Sequence, residues 1–281
     1  MKHFKNILLY SFICSLAFFT NCTWDNFFWV AEKAMPDELN IETISCHCGE
    51  VIEINIPRGL TDDQDTSNCR YIWQGRDGIF IDPVYETYER DLKWIKDLGI
   101  KLLYILETHV HADHKTGSWE IKKATEAKTC LSATSGVQNA DLLLDDGQTI
   151  EFGNFSLKAF NTPGHTNGCM SYYVDGMLFT GDALFIRGCG RTDFQEGDPH
   201  TLFKSVRDLL FSYPDETLIY PGHDYKGVSF STVGEEKKFN PRLKLDHSEE
   251  DFVKIMNGLN LAYPKKIDVS LPHNLVCGKE N

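Results

Sequence analysis

Four polar motifs, each directly after an apolar segment, constrain the fold of this 281-residue chain more than any other feature. The first motif, Thr108-His-Val-His-Ala-Asp-His114, follows an apolar run at residues 102–106. Because open α/β sheets place their sites in the loops at strand ends, motifs in this position predict one shared site on one rim of the sheet. The other three motifs follow predicted strands at 155–160, 177–180 and 217–220: Thr162-Pro-Gly-His-Thr166, Thr180-Gly-Asp182 and Pro221-Gly-His-Asp224.

The spacing of apolar residues predicts a layered α/β protein. The run at 102–106 has no polar alternation, which is typical of a strand that is covered on both faces. Residues 51–56 alternate apolar with polar side chains, as a half-buried strand does. Residues 71–73 and 79–81 flank a glycine-containing turn and predict a hairpin.

Three helices are predicted from their apolar faces and from the residues at their ends. Gly99 ends the first helix, Asp198 caps the second, and Ser248 opens a capping-box pattern at the start of the last. We therefore predict one domain over residues 45–281, with a linker at 23–44 before it.

The polar motifs contain a set of metal-ligating side chains. His109 and His111 are two residues apart, a spacing that suits a loop or strand end better than a helix. The whole set has five imidazoles and two carboxylates: His109, His111, Asp113, His114, His165, Asp182 and His223. These groups suit zinc, iron or manganese, and the absence of a thiolate argues against a closed structural zinc site. We expect a bound metal with an open coordination position.

The order of the motifs resembles the metallo-β-lactamase superfamily over residues 70–224. The resemblance implies an α/β fold of the αβ/βα sandwich type, in which two mixed sheets are flanked by helices and the metal site lies along one edge. The reaction stays open at this level, because hydrolases of lactams, thioesters and phosphodiesters share the motif with some oxygen-using enzymes.

Longer strings are more specific, at residues 181–194, 218–225, 231–236, 240–243 and 252–260. They closely resemble the persulfide dioxygenases of sulfide oxidation, and the similarity runs from Ile79 to the C-terminus. This resemblance implies an enzyme that converts glutathione persulfide, with O2 and water, to sulfite and glutathione at one Fe(II) per chain. The iron ligands of that family match His109, His165 and Asp182.

The other four residues of the set are interpreted as catalytic groups that orient ligands or relay protons: His111, Asp113, His114 and His223. Because the sequence keeps all seven residues, spacing alone does not distinguish one metal from two. The alternative function is a two-zinc hydroxyacylglutathione hydrolase of the glyoxalase II kind, which shares the first motif. The 58 residues after His223 resemble the shorter C-terminal tail of the dioxygenases more closely.

Charge restricts the partners of the chain. With 28 basic and 41 acidic residues the formal net charge is −13, which argues against a nucleic-acid-binding protein. Glutathione carries carboxylates, so an acidic protein must offer local positive charge to bind it. Arg187 and Arg191 are the predicted binding residues, and Cys189 between them is a predicted contact for the persulfide sulfur. The structural alternatives are salt bridges for the arginines and a small buried side chain for Cys189.

The first 22 residues resemble a secretory signal peptide, because Lys2 and Lys5 precede an apolar run at 7–19. This run is shorter than the roughly 20 apolar residues of a membrane-spanning helix, so we expect no stable span once the leader is removed. The leader predicts an organelle or the endomembrane lumen. A mitochondrial transit peptide is the alternative, although such peptides are rich in arginine and the first one here is Arg58. The oligomeric state stays open, a homodimer included.

Overall fold

A computed structural model describes residues 40–46, 49–56, 69–224, 228 and 230–279 of the chain. The predicted leader and the greater part of the predicted linker lie outside these residues. The strand Asn40–Cys46 lies mostly inside the segment predicted as a linker. Among the described residues, no helix has the length and apolar character that a bilayer crossing requires.

The first seven strands form one mixed sheet, in which they lie side by side in chain order. β1 to β4 pair antiparallel, and β4 to β7 pair parallel. The strands are β1 (Asn40–Cys46), β2 (Gly49–Ile56), β3 (Cys69–Gln74), β4 (Asp77–Ile81), β5 (Lys101–Leu106), β6 (Lys128–Ser132) and β7 (Leu142–Leu144). The predicted hairpin is confirmed by the antiparallel pairing of β3 with β4.

The second sheet has six strands in the order β13-β12-β11-β10-β9-β8. Its pairs are antiparallel except for β11 with β12, which run parallel. The strands are β8 (Thr149–Phe152), β9 (Phe155–Asn161), β10 (Met170–Val174), β11 (Met177–Gly181), β12 (Leu218–Pro221) and β13 (Ser231–Thr232).

The main apolar core lies between the two sheets. Ile79 and Leu106 of the first sheet belong to the same buried cluster as Leu157 and Tyr172 of the second. Each of these side chains has an exposed fraction of 0%, so the inner faces exclude water. β5 also contributes Leu102 and Ile105 to the apolar cluster on the outer side of the sheet, so burial on both faces explains why this strand shows no strict alternation.

Helices cover the outer faces of both sheets. Trp94 and Ile121 pack against the first sheet, and Leu202 and Phe252 pack against the second. The predicted αβ/βα sandwich is therefore confirmed. The helices are α1 (Tyr88–Asp97), α2 (Ser118–Thr125), α3 (Pro199–Lys204), α4 (Val233–Phe239), α5 (Glu249–Asn257) and α6 (Ile267–Asn274).

The predicted helix ends agree with the structure. Gly99 follows α1 with a φ angle of 68°, the left-handed conformation that glycine adopts at little cost. The Asp198 carboxylate accepts a hydrogen bond from the backbone N–H of Thr201, and Ser248 forms the capping box of α5. The prediction that α5 is the last helix is wrong, because α6 follows it and contains Pro272 in its interior.

Candidate metal centre

The four polar motifs meet at an edge that both sheets share. The first motif follows β5 of the first sheet, and the other three follow β9, β11 and β12 of the second. Two hydrogen bonds join the sheets here: Met170 N–H donates to the Thr108 carbonyl (2.8 Å), and the Tyr172 hydroxyl donates to the Glu107 carbonyl (2.7 Å). The sequence predicted the rim of one sheet, whereas the structure assembles the site from two.

Three side chains bring their ligand atoms to one point. One ligand atom from each of His109, His165 and Asp182 lies within 4.8 Å of the other two. Nε2 of His165 is 3.5 Å from Oδ2 of Asp182, and the two imidazole rings stand at 84° to each other. His109 and Asp182 are buried while His165 is partly exposed, so the group is accessible from one side.

Hydrogen bonds fix which nitrogen of each imidazole is available to a metal. The Thr108 hydroxyl donates to Asp82 Oδ2 (2.9 Å), so its oxygen accepts from Nδ1 of His109 (3.0 Å). Nδ1 of His165 donates to the Arg191 carbonyl (2.6 Å). Both rings therefore keep the Nε2 lone pair for a ligand. Burial and the neighbouring imidazoles hold the pKa of His109 well below its usual range, which favours the neutral form that binds metals.

Two glycines allow the Asp182 carboxylate to approach the imidazoles. Gly181 has a φ angle of 49°, and a Cβ atom there would lie 2.5 Å from the Thr108 hydroxyl oxygen. A Cβ atom on Gly190 would lie 2.5 Å from the Asp182 carbonyl and 2.8 Å from Nδ1 of His165. Within the described part of the chain, Asp182 Oδ1 is buried and accepts no hydrogen bond. A buried carboxylate oxygen without a hydrogen-bond donor is expected where that oxygen binds a metal ion.

A second group of possible ligands adjoins the first. His111, Asp113 and His114 also bring one ligand atom each within 4.8 Å of the others. Nε2 of His223 lies 3.8 Å from Asp113 Oδ2 and 3.6 Å from Asp182 Oδ1, so it stands between the two groups. Burial by itself would raise the pKa of Asp113, but the neighbouring imidazoles of His114 and His223 outweigh burial and hold that pKa well below its usual value.

Two buried carboxylates lie behind His111. Nε2 of His111 is 3.1 Å from Asp82 Oδ1 and 3.4 Å from Glu107 Oε2. Burial alone would lower the pKa of His111, but the two carboxylates raise it well above its usual range. The hydroxyls of Thr116 and Ser118 donate to Glu107 Oε1. Nε2 of His111 therefore carries a proton directed at these two carboxylates, while its Nδ1 lies 3.9 Å from Asp113 Oδ1.

The three convergent side chains line a cavity of about 480 Å³. This volume lies within the range of sites that bind small molecules. Three arginines contribute to the wall of the cavity: Arg187, Arg191 and Arg242. A cationic wall in an acidic protein favours an anionic ligand.

The guanidinium of Arg187 is engaged with α4. It forms a salt bridge with Glu236, whose side chain is fully buried, and a second one with Glu235 at 3.3 Å. The backbone N–H of Arg187 also donates to Glu236 Oε2 (2.9 Å). These bonds hold the loop at 187–190 and occupy much of the donor capacity of Arg187.

Arg191 is also paired with a carboxylate. Its Nε and Nη2 donate to the two oxygens of Asp193 at 2.6 and 2.7 Å. Its Nη1 donates to the Ala262 carbonyl (2.8 Å), and the guanidinium lies 4.5 Å from the ring centroid of Phe194. The hydrogen bond with Asp193 raises the pKa of Arg191 despite partial burial, so its charge is permanent.

Arg242 has a different environment. Its Nη1 donates to the Cys189 carbonyl (3.0 Å) and approaches the sulfur atoms of Cys189 and Met256 at 3.7 and 4.0 Å. No carboxylate of the described residues forms a salt bridge with it, which leaves its charge available to a ligand. Burial raises the pKa of Cys189 to about 11, so this sulfur is a thiol near neutral pH.

Comparisons with known proteins agree with this geometry. The sequence profile described as the metallo-beta-lactamase superfamily matches residues 62–223. The chain is 50% identical over 208 residues to the persulfide dioxygenase ETHE1 of Homo sapiens, which is named as mitochondrial; the match covers 73% of this chain and 81% of that protein. A crystal structure of ETHE1 from Myxococcus xanthus superposes with a TM-score of 0.75 at 41% identity, covering 80% of this chain and all of that one.

This chain belongs to the persulfide dioxygenase family. A hydroxyacylglutathione hydrolase of Haemophilus influenzae, GloC, is less similar, at 32% identity over 200 residues that cover 63% of this chain and 92% of that protein. As a member of the persulfide dioxygenase family, the chain is an enzyme.

In this persulfide dioxygenase the structure gathers all seven residues of the predicted metal and catalytic set, and it places the three predicted substrate-binding residues on the cavity wall. Sequence reasoning missed Asp82, Glu107 and Arg242. Asp82 directly follows β4 and has a φ angle of 52°, a rare conformation for a residue other than glycine, and it directly precedes a proline. Arg242 lies in the Asn240-Pro-Arg-Leu243 string that carries part of the family resemblance.

Proposed function

We propose that this enzyme is an iron-dependent dioxygenase that oxidises glutathione persulfide with O2 and water to sulfite and glutathione. The main support is a pair of imidazoles and one carboxylate that converge within 4.8 Å on a cavity of about 480 Å³. The identity of 50% with a protein named persulfide dioxygenase supports the same reaction. Its atoms balance as GSSH + O2 + H2O giving GSH + SO3²⁻ + 2 H⁺, in which dioxygen takes up the electrons that sulfur loses.

His109, His165 and Asp182 would hold the iron. Two imidazoles and one carboxylate form the ligand set of many non-haem Fe(II) oxygenases, and this set leaves coordination positions open. Fe(II) bound there would supply the redox chemistry that activates dioxygen, which Zn²⁺ does not have. Two observations support the fit: hydrogen bonds at Nδ1 leave the Nε2 atom of each imidazole to a metal, and Oδ1 of Asp182 accepts no hydrogen bond from the described residues.

The remaining members of the predicted set would orient groups and move protons. The reaction releases two protons, which must leave a largely buried site. His223 would take up a proton at Nε2, since this atom lies 3.6 Å from Asp182 Oδ1 and 3.8 Å from the ionised Asp113. His114 would be held by Asp113, whose Oδ2 is 3.0 Å from its Nδ1, and His111 would be held by the carboxylates behind it.

Glutathione carries two carboxylates, and the arginines of the wall would bind them. Arg242 is best suited, because no carboxylate of the described residues neutralises it and a guanidinium binds a carboxylate with two parallel hydrogen bonds. Arg191 stays a predicted binding residue, although Asp193 already occupies two of its donors. Arg187 is bound to Glu235 and Glu236, so its predicted contact with substrate requires donors beyond these bonds.

Metal analysis combined with oxygen consumption tests the proposed function. We expect the purified enzyme to hold about one iron per chain and to consume one O2 for each sulfite formed from glutathione persulfide. The same protein reconstituted with Zn²⁺ should consume no O2. A protein with two zinc ions per chain that hydrolyses lactoylglutathione, and that leaves the persulfide unchanged, would contradict the proposal and support the glyoxalase II alternative.

For the location we propose an organelle, and the mitochondrion is favoured over the endomembrane lumen. The support is the word mitochondrial in the names of the human, mouse and bovine relatives. Imaging of the full chain with a C-terminal fluorescent protein in its own cells distinguishes the two compartments. Retention in the secretory pathway would contradict the mitochondrial assignment.

A further inference from the structure

The last side chain of the C-terminal helix α6, Asn274, makes three hydrogen bonds to the loop that carries the first motif. We call residues 109–116, between β5 and α2, the metal-ligand loop. Asn274, which is 3% exposed, donates from Nδ2 to the carbonyls of His111 and His114, both at 2.8 Å. Its Oδ1 accepts from the backbone N–H of Thr116, also at 2.8 Å. The amide therefore uses both of its N–H groups and one acceptor position on this single loop.

The surroundings keep Asn274 in place. The backbone N–H of Gln138 donates to the Leu275 carbonyl (2.7 Å), one residue beyond α6. Cys277 packs in a buried apolar cluster with Val110 of the metal-ligand loop. These two contacts hold the chain just beyond the end of α6, so the Asn274 side chain has a rigid support.

Other residues bind part of the loop backbone: the Val110 carbonyl accepts from Gln195, the Lys115 carbonyl accepts from the Tyr85 N–H, and the Thr116 carbonyl lies 3.3 Å from His273 Nε2. The His111 and His114 carbonyls and the Thr116 N–H depend on Asn274. A buried carbonyl or N–H group that loses its hydrogen bond is costly, so the loop would move to recover one. Displacement of about 1 Å is enough to impair a metal site or a catalytic arrangement. His109 and Asp113 lie on the same loop and would move with it.

We infer that Asn274 is a positioning residue for the metal centre, and that its amide is the contact through which α6 holds the His111 and His114 carbonyls in place. The inference rests on the proposed function only in that the metal-ligand loop holds a metal. It assigns a role in metal retention to a residue that follows the last sequence motif by 50 positions and has no ligand chemistry of its own.

The test compares Asn274→Ala with Ser270→Ala. Ser270 lies one turn earlier on α6, is 1% exposed, and its hydroxyl forms no hydrogen bond with the described residues. Both variants remove a buried polar group from the same helix, but only one of those groups touches the metal-ligand loop. The comparison therefore separates the loop contact from the packing of α6.

Three measurements are made on the purified holoenzyme: the rate of metal release to EDTA, hydrogen exchange at the Thr116 N–H, and steady-state kinetics, which give kcat and KM. For Asn274→Ala we expect metal release about 10- to 100-fold faster, faster exchange at Thr116, and a lower kcat with little change in KM. Ser270→Ala should match the wild type in all three. Wild-type metal release by Asn274→Ala, with only its melting temperature lowered, would overturn the inference and leave Asn274 as a residue that docks the helix.

A second variant covers the case in which Asn274→Ala does not fold. Asn274→Asp keeps the size of the side chain and the acceptor for Thr116, but an ionised carboxylate cannot donate to the two loop carbonyls. It should therefore also release metal faster, and wild-type retention would overturn the inference. Metal release and hydrogen exchange are read without persulfide, so a failure of the proposed reaction leaves these two results fully interpretable.

Discussion

Short motifs predicted both the metal centre and the arginine loop at residues 187–191. In the structure the side chains of the metal centre converge on one point, whereas the arginines of the loop form ion pairs within the protein. Ligand atoms of His109, His165 and Asp182 converge as predicted. Of the arginines in the loop, Arg187 and Arg191 both pair with carboxylates of the protein itself. The predicted ligands follow strands whose ends are fixed by sheet register, whereas the Arg187 side chain pairs with Glu236, 49 residues later, and the Arg191 side chain pairs with Asp193, two residues later. Sequence therefore predicts which polar side chains meet at strand ends more readily than it predicts the partners of long, flexible side chains.

The largest expected effect is loss of the metal centre. Asp182→Ala removes the carboxylate of the ligand set, so we expect the purified protein to lose its iron and its turnover together, by more than about 100-fold. Metal content by mass spectrometry and O2 consumption measure the two effects. A full iron content in this variant would mean that the convergence of the three side chains does not mark the metal site.

A matched control uses a histidine outside the centre. The side chain of His200 is 56% exposed and pairs with Glu249 on the surface. His200→Ala should keep iron and turnover within about twofold of the wild type, because exposed ion pairs contribute little.

Much of the fold was predictable because local signals agreed with tertiary structure. Alternation, capping residues and the turn at Gly99 identified strands and helix ends correctly. The missed strand β7 has only three residues, all leucine, so it shows no alternation. Of the three missed helices, α2, α4 and α6, the last contains a proline, and its polar face is not separated from its apolar face. Strand β7 and helix α6 are both stabilised by packing against the rest of the fold, which no local pattern reveals.

For the candidate site, too, the sequence predicted the residues that stand in motifs but not the residues that support them. The histidines and Asp182 stand in motifs with recognisable spacing, but Asp82, Glu107 and Asn274 act through positions that only the folded chain brings together. Glu107 directly precedes the first motif. Burial is the main reason why the pKa of its carboxyl group is raised. Nothing in the sequence shows that this carboxylate faces His111 and not solvent. Supporting residues of a metal site are defined by orientation, and orientation depends on distant packing.

A smaller effect separates the arginines of the cavity wall. Arg242→Ala should raise KM for glutathione persulfide about 10-fold, equal to about 1.4 kcal/mol of binding free energy, with kcat nearly unchanged. The reason is that no described carboxylate neutralises Arg242, so its charge is available to the substrate. Steady-state kinetics at several persulfide concentrations measure the change. An unchanged KM would transfer the substrate contact to another residue of the wall.

Arg187→Ala is the matched comparison for that variant. Removal of this guanidinium leaves the buried Glu236 carboxylate without its charged partner, so the free energy of unfolding should fall by about 2 kcal/mol. KM should change less than in Arg242→Ala. A larger KM effect in Arg187→Ala would show that the bonds between Arg187 and α4 open when substrate binds. The arginine loop would then bind substrate as directly as the metal centre does.

The smallest expected effect concerns Cys189, which lies between the two predicted arginines and is 3% exposed. Its sulfur lies 3.8 Å from the Met256 sulfur and 3.7 Å from Arg242 Nη1, and a pKa of about 11 keeps it as a thiol. A neutral buried thiol is a poor nucleophile, so Cys189→Ala should change kcat and KM by no more than about twofold and lower stability by about 1 kcal/mol. Cys189→Ser serves as the control, because it keeps the volume and replaces a sulfur contact by a hydroxyl. If both variants instead lose more than about 10-fold in kcat/KM at unchanged stability, the sulfur contacts the persulfide directly. The loop at 187–191 would then take part in the reaction itself, together with the metal centre at the strand ends.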